Sequence, residues 1–167
     1  MLDGAARVKE LLSATAELGM PAIAMTDHGN LFGAFDFYKQ ARQVGVKPII
    51  GIEAYLAPES RFDRKRVKWA DGGEDDVSSG GAYTHLTLLA KNNNGLSNLF
   101  KLASLASIEG YYYKPRMDRE LLSRYSTGII ATTGCPGGEI QTRIRMGDLK
   151  AAEKAASELR DIFGKEN

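Results

Sequence analysis

The chain contains a single cysteine and only two histidines. One cysteine cannot close an internal disulfide, so a secreted, disulfide-stapled scaffold is excluded and a reducing compartment is expected. Any imidazole chemistry must pass through His28 or His85. No apolar run approaches the roughly 20 residues that span a bilayer. Met1-Leu2-Asp3-Gly4 also lacks the basic-then-apolar opening of a signal peptide. Excess charge of either sign is missing too: 22 Lys and Arg stand against 21 Asp and Glu, a formal net charge of +1. That balance removes global steering toward nucleic acid or a membrane surface, while leaving room for a local basic face. A cytoplasmic chain with no membrane partner is the expectation.

What is present suffices for one domain. The 167 residues are 43% hydrophobic, far from the composition of a disordered chain and long enough to bury a core. Helix-period and short apolar segments alternate. Residues 5–18 place Val8, Leu11, Leu12, Thr15 and Leu18 on one helical face, with Asp3 as a possible N-cap and Gly19 as a stop. Residues 31–44 predict a second helix, with Phe35, Tyr38 and Ala41 or Arg42 at helical spacing. Further helices are expected over 96–107, 119–125, 138–146 and 149–163. Strands are expected at 21–26, 48–57, 83–91 and 128–133. This alternation predicts an α/β fold with a mainly parallel sheet covered by helices. The exception is residues 58–82, where Arg61, Arg64, Lys65, Arg66 and Lys68 mix with Glu74, Asp75 and Asp76 before Ser-Ser-Gly-Gly. Its length and polarity mark a functional or flexible loop.

In such architectures reactive side chains gather at the carboxyl edge of the strands. The first strand runs into Thr26-Asp27-His28-Gly29-Asn30, the second carries Glu53, and the fourth leads into Thr133-Gly134-Cys135-Pro136-Gly137-Gly138. Histidine, carboxylate and thiol are thus delivered toward one rim, and His85 on the third strand is placed to join them. These are ligand types for zinc and related metals, and a metal cluster suits phosphate-ester hydrolysis. No local ligand spacing such as CxxC or HExxH occurs, so a ligand set must assemble from distant positions. Plainer roles exist for each residue. Asp27 to Asn30 also reads as a capped strand-to-helix turn. Glu53 also reads as half of a structural ion pair, His85 as a core histidine and Cys135 as a small hydrophobe. Tyr111-Tyr112-Tyr113-Lys114-Pro115-Arg116 interleaves aromatics and cations, as nucleic-acid grooves do, and also reads as an ordered crossover loop.

Taken together, the segments MLDGAARVKELL, PAIAMTDHGNLFGAFDFYKQARQVGVKPIIGIEAY, YTHLTLLAKNNNGLSNLFKLAS, YYYKPRMDRELL and GIIATTGCPGGEI resemble the N-terminal PHP (polymerase and histidinol phosphatase) domain of bacterial replicative polymerase alpha subunits. The 58–82 loop resembles the actinobacterial versions. The resemblance implies a distorted, seven-stranded β/α barrel with a metal cluster at the strand ends. By position, it implies that Asp3, His28, Glu53, His85 and Cys135 are metal ligands and that Asp27 orients them. Lys114 and Arg116 are the expected phosphate or DNA contacts. Divalent metal ions (zinc, manganese or magnesium) are the implied cofactors. DNA, a proofreading exonuclease and a sliding clamp are the implied partners of the parent, whose palm, fingers and clamp-binding regions are not in this sequence. Members with intact ligand sets are metal-dependent 3′–5′ exonucleases, and members with degraded sets serve as scaffolds. The family's opening His-x-His strand and its later Asp-x-His motif have no counterpart here, so the resemblance implies a domain truncated at both ends. Such a piece is expected to be inactive alone and to hold metal poorly or not at all. Metal analysis of the purified chain checks this, and stoichiometric, tightly bound zinc or manganese contradicts it.

Overall fold

The computed structural model describes residue 4, residues 6–67 and residues 78–167. Asp3, Lys68, Glu74, Asp75 and Asp76 lie outside the described residues. The first helix, α1 (Val8–Glu17), has Arg7 in extended conformation at its N-cap position, with no side-chain cap. It stops where expected, with Gly19 at φ 67°. Strand β1 (Ala22–His28), helix α2 (Ala34–Gln43) and strand β2 (Lys47–Leu56) follow as one βαβ unit. Next come β3 (Thr84–Ala90), α3 (Asn93–Ile108), β4 (Arg116–Met117), α4 (Arg119–Arg124), β5 (Ile129–Thr132), α5 (Glu139–Arg145) and α6 (Leu149–Phe163). Side-chain caps hold three helix starts. Asn92, Asp118 and Asp148 accept the backbone N–H of Gly95, Leu121 and Ala151 at α3, α4 and α6.

The sheet runs β1-β2-β3-β5, with β4 added to the end of the β2 edge that β1 leaves. Two of its ladders are parallel, β1 with β2 and β2 with β4. The other two, β2 with β3 and β3 with β5, are antiparallel. The expected mainly parallel sheet is therefore corrected to a mixed one. An apolar run reports burial but not direction, and direction is set by the connection. The β1 to β2 link contains a crossover helix and gives a parallel pair. Between β2 and β3 no α-helix occurs among the described residues, and the chain returns reversed. The sheet stays open among the described residues rather than closing into a barrel.

Alternation along the strands separates a core face from a polar face. Ile52, Ala54 and Leu56 of β2 and Leu86 and Leu88 of β3 pack with Leu99, Leu102 and Ala106 of α3, Leu121 and Leu122 of α4, and Phe163 of α6. Each fully buried leucine here contributes about 1.5–3 kcal/mol by leaving water. A second cluster joins Leu12 of α1 to Ala34, Phe37 and Ala41 of α2. The buried stripe of α2 is therefore displaced from the expected one, and Phe35 and Tyr38 are exposed. Leu18 is likewise 76% exposed, as the C-cap residue just past the end of α1. No helix among the described residues is long and apolar enough to cross a membrane.

Residues 58–67 are tied down by two buried arginines. Arg61 donates to Asp118 Oδ1 at 2.9 Å, to Glu109 Oε2 at 2.7 Å and to Glu120, while its own backbone N–H donates to Asp118 Oδ2 at 2.8 Å. These three carboxylates hold its guanidinium well above the ordinary arginine range despite the opposing effect of burial. Arg116, 1% exposed, donates to the carbonyls of Gly110, Ala82, Arg61 and Asp63. Removing one partner of a buried charge pair costs about 3–5 kcal/mol, because the other charge is left unpaired. Asp118→Ala, which also removes the α4 cap, is expected to lose that much in denaturant unfolding. Glu120→Ala, at an exposed carboxylate, is expected to lose about 0–1 kcal/mol. Equal losses for the two would contradict this ranking.

Candidate metal centre

The face of the sheet opposite the core carries the chemistry. In the parallel ladder His28 lies opposite Glu53, and in the antiparallel ladder Tyr55 lies opposite His85. Glu53 and Tyr55 are two residues apart on β2, so they share a face, and cross-strand partners share it with them. His28 Nδ1 stands 3.2 Å from Glu53 Oε2, and His85 Nδ1 stands 2.9 Å from Glu53 Oε1. One carboxylate thus spans both histidines of the chain. Cys135, in the turn after β5, brings its Sγ to 3.2 Å from the same His85 Nδ1. Glu53, His85 and Cys135 offer ligand atoms within 4.8 Å of one another, and all three are half-buried.

Strand direction alters how the rim is built. β1, β2 and β5 do deliver their residues from the carboxyl end. His85 reaches the same rim from the amino end of β3, because that strand is reversed. The turn carrying Cys135 is fixed by backbone contacts to β3 and within itself. Gly137 accepts the His85 N–H through its carbonyl at 3.1 Å, and Gly138 N–H donates to the Cys135 carbonyl at 2.8 Å. Gly137 N–H also donates to Cys135 Sγ at 3.3 Å.

Asp27 sits on the opposite face of β1 from His28. Its Oδ2 accepts the Gly33 N–H at 3.2 Å at the start of α2, and Asn30 Oδ1 accepts the Phe32 N–H at 3.0 Å. These two contacts fix the turn between β1 and α2, the corner from which His28 projects. Gly29 completes it at φ 67°, with the Tyr55 ring and Pro115 so close that a Cβ would meet them at 2.7 and 2.9 Å. Gly4, Thr26, Asp27, His28, Asn30, Phe32 and Glu53 line an open cleft of about 620 Å³ beside the cluster.

Among the other residues expected at a site, Lys114 is exposed, with Nζ 5.7 Å from the Tyr55 ring centroid. Arg116 is corrected: it is buried on β4 and engaged with four backbone carbonyls, which leaves it a structural task rather than a phosphate contact. Two residues escaped the sequence reading. Tyr55 meets the His85 ring edge-on at 5.6 Å, and Tyr83 stacks on it at 5.9 Å. Tyr55 lies two residues from Glu53 on β2, and Tyr83 two residues from His85 just before β3, so alternation was the signal that could have found them. Burial, with Tyr83 and Glu53 nearby, pushes the Tyr55 hydroxyl above its ordinary range, so it stays protonated.

The sequence profile of the PHP domain matches residues 1–167. The DNA polymerase III subunit alpha of Saccharopolyspora erythraea is 58% identical over 176 residues, covering 100% of this chain and 15% of that protein. The subunit alpha of Mycobacterium leprae is 56% identical over 170 residues, covering 100% and 14%. That of Thermus aquaticus is 54% identical over 166 residues, covering 98% and 13%. The chain therefore spans only a small part of the length of these relatives.

A methyl group at Gly29 has no room and an unfavourable backbone. Gly29→Ala is expected to destabilise the chain by about 1–3 kcal/mol, as overpacking does. Chemical denaturation measures it, and wild-type stability would contradict the close approach of Tyr55 and Pro115.

Proposed function

This chain belongs to the PHP domain family, and from that premise we propose that it is the PHP module of a replicative DNA polymerase III alpha subunit, carrying a metal-dependent 3′–5′ exonuclease centre. The supporting observation is the convergence of Glu53 Oε1 and Cys135 Sγ on His85 Nδ1, at 2.9 and 3.2 Å. Nitrogen, oxygen and sulfur donors from three separate strands and turns thus lie close enough to share one cation. Imidazole, carboxylate and thiolate suit zinc or a neighbouring transition metal, while magnesium and manganese prefer oxygen. His28, on the second oxygen of Glu53, adds a further donor beside them. These donors support weak, exchangeable metal uptake by the chain, short of the tight stoichiometric binding that would contradict the expectation from sequence.

When bound, such a cation lowers the pKa of water and stabilises charge on a phosphodiester undergoing cleavage. The chain's own residues prepare the place for it. Glu53 sets the spacing of the two imidazoles, and the Gly137 N–H holds the Cys135 sulfur in place. Tyr55 and Tyr83 fix the plane of the His85 ring. The cleft beside His28 leaves space for a strand terminus. DNA and the other replisome subunits are the partners this assignment entails.

Two measurements test it. Cobalt(II) titration of the chain is expected to give a thiolate charge-transfer band that Cys135→Ser removes. In the full-length gene product, Glu53→Ala is expected to lower metal-dependent exonuclease activity by about 100-fold or more, beyond what loss of an outer partner costs, and to spare template-directed synthesis. Unchanged exonuclease activity and bound metal would leave only a scaffold that docks a separate proofreading exonuclease. Absence of synthesis in the parent would point to a free-standing phosphatase.

A further inference from the structure

Among the described residues, Tyr113 is the one non-glycine at positive φ, at 62°. A side chain in this left-handed region is disfavoured, and a glycine would hold the turn without strain. Core packing does not explain the tyrosine, since it is 57% exposed. Its ring contacts are Tyr112, edge-on at 4.6 Å, and the exposed Arg66 guanidinium, 5.4 Å from the ring centroid. A strained residue that presents an aromatic ring to water is a pointer to function.

Its position connects it to the metal centre. β4 takes over the edge of β2 at the point where β1 ends, so the residues leading into β4 abut the corner that carries His28. Pro115 packs against Gly29 there. Lys114, the next residue after Tyr113, lies over the ring of Tyr55, and Tyr55 in turn meets His85. An exposed ring and two exposed cations therefore stand beside the corner that carries His28, with the buried Tyr55 ring between Lys114 and His85. Successive aromatic and cationic contacts are how single strands are held without base-specific readout, the rings stacking on bases and the cations tracking phosphates. The overall charge of +1 gives no general attraction for DNA, so any affinity must come from a local feature of this kind.

We propose that Tyr113 is a base-stacking platform that, with Lys114 and Arg66 on the phosphates, guides single-stranded DNA into the metal centre. This rests on the nuclease reading for its direction of travel, but DNA binding itself requires no metal. The test is fluorescence anisotropy of a fluorescein-labelled oligothymidylate with the full chain in the presence of a chelator. Tyr113→Gly is expected to weaken binding about tenfold, the worth of one base stack, while the melting temperature stays level or rises as backbone strain is relieved. Tyr113→Asn, which tolerates the same backbone region, is expected to bind as weakly as the glycine variant. Tyr113→Phe is expected to bind as wild type, because stacking needs the ring and not the hydroxyl. No oligothymidylate binding by the wild-type chain, or undiminished binding by the glycine and asparagine variants, would overturn the proposal. So would a lowered melting temperature in both variants, which would give the ring a structural task. Loss of metal-dependent cleavage with this binding pattern intact would sink the nuclease reading alone.

Discussion

The register of β2 is the constraint on which the site depends. That strand pairs with β1 on one edge and β3 on the other, and β4 extends the first edge. Its pairings put His28 opposite Glu53 and Tyr55 opposite His85, while Ile52, Ala54 and Leu56 go to the core. Side chains alternate with a period of two, so a slip of one residue would carry Glu53 into the apolar face and a leucine or isoleucine into the polar one. The cost of exposing that core therefore also fixes the position of the carboxylate. Packing energy and ligand geometry are set by one alignment.

Charge is divided between structural and chemical tasks. Arg61 and Arg116 are buried, one within a ring of carboxylates and the other among backbone carbonyls. Together they tether residues 58–67 and the start of β4 beside the site. Such buried cations are costly to desolvate and are retained only because each polar contact is made. The cations available to a ligand, Arg66 and Lys114, are the exposed ones near Tyr113 and Tyr55.

Much of this was legible in the sequence, for identifiable reasons. Short apolar runs marked four of the five strands, and helical spacing marked all six helices. The delivery of His28 and Cys135 to one rim followed from their places just at or after strand ends, and Glu53 and His85 were expected beside them from within their strands. The reversal of β3 was not legible, since direction is set by a connection whose composition is silent about it. The exposure of Phe35, Tyr38 and Leu18 was misjudged because helical period gives a stripe but not its phase against the sheet. Arg116 was misread as a phosphate contact, since its neighbours in sequence are aromatic and basic while its partners in space are carbonyls. The Arg61–Asp118 pair joins residues 57 apart in sequence, beyond the reach of local pattern.

The central claim is that Glu53, His85 and Cys135 together form one metal site. X-ray absorption at the zinc edge, on the chain loaded with less than one equivalent of zinc, tests it most directly. The account predicts one sulfur scatterer at about 2.3 Å, with the remaining scatterers nitrogen or oxygen at about 2.0–2.2 Å. A spectrum with only nitrogen and oxygen neighbours would contradict it.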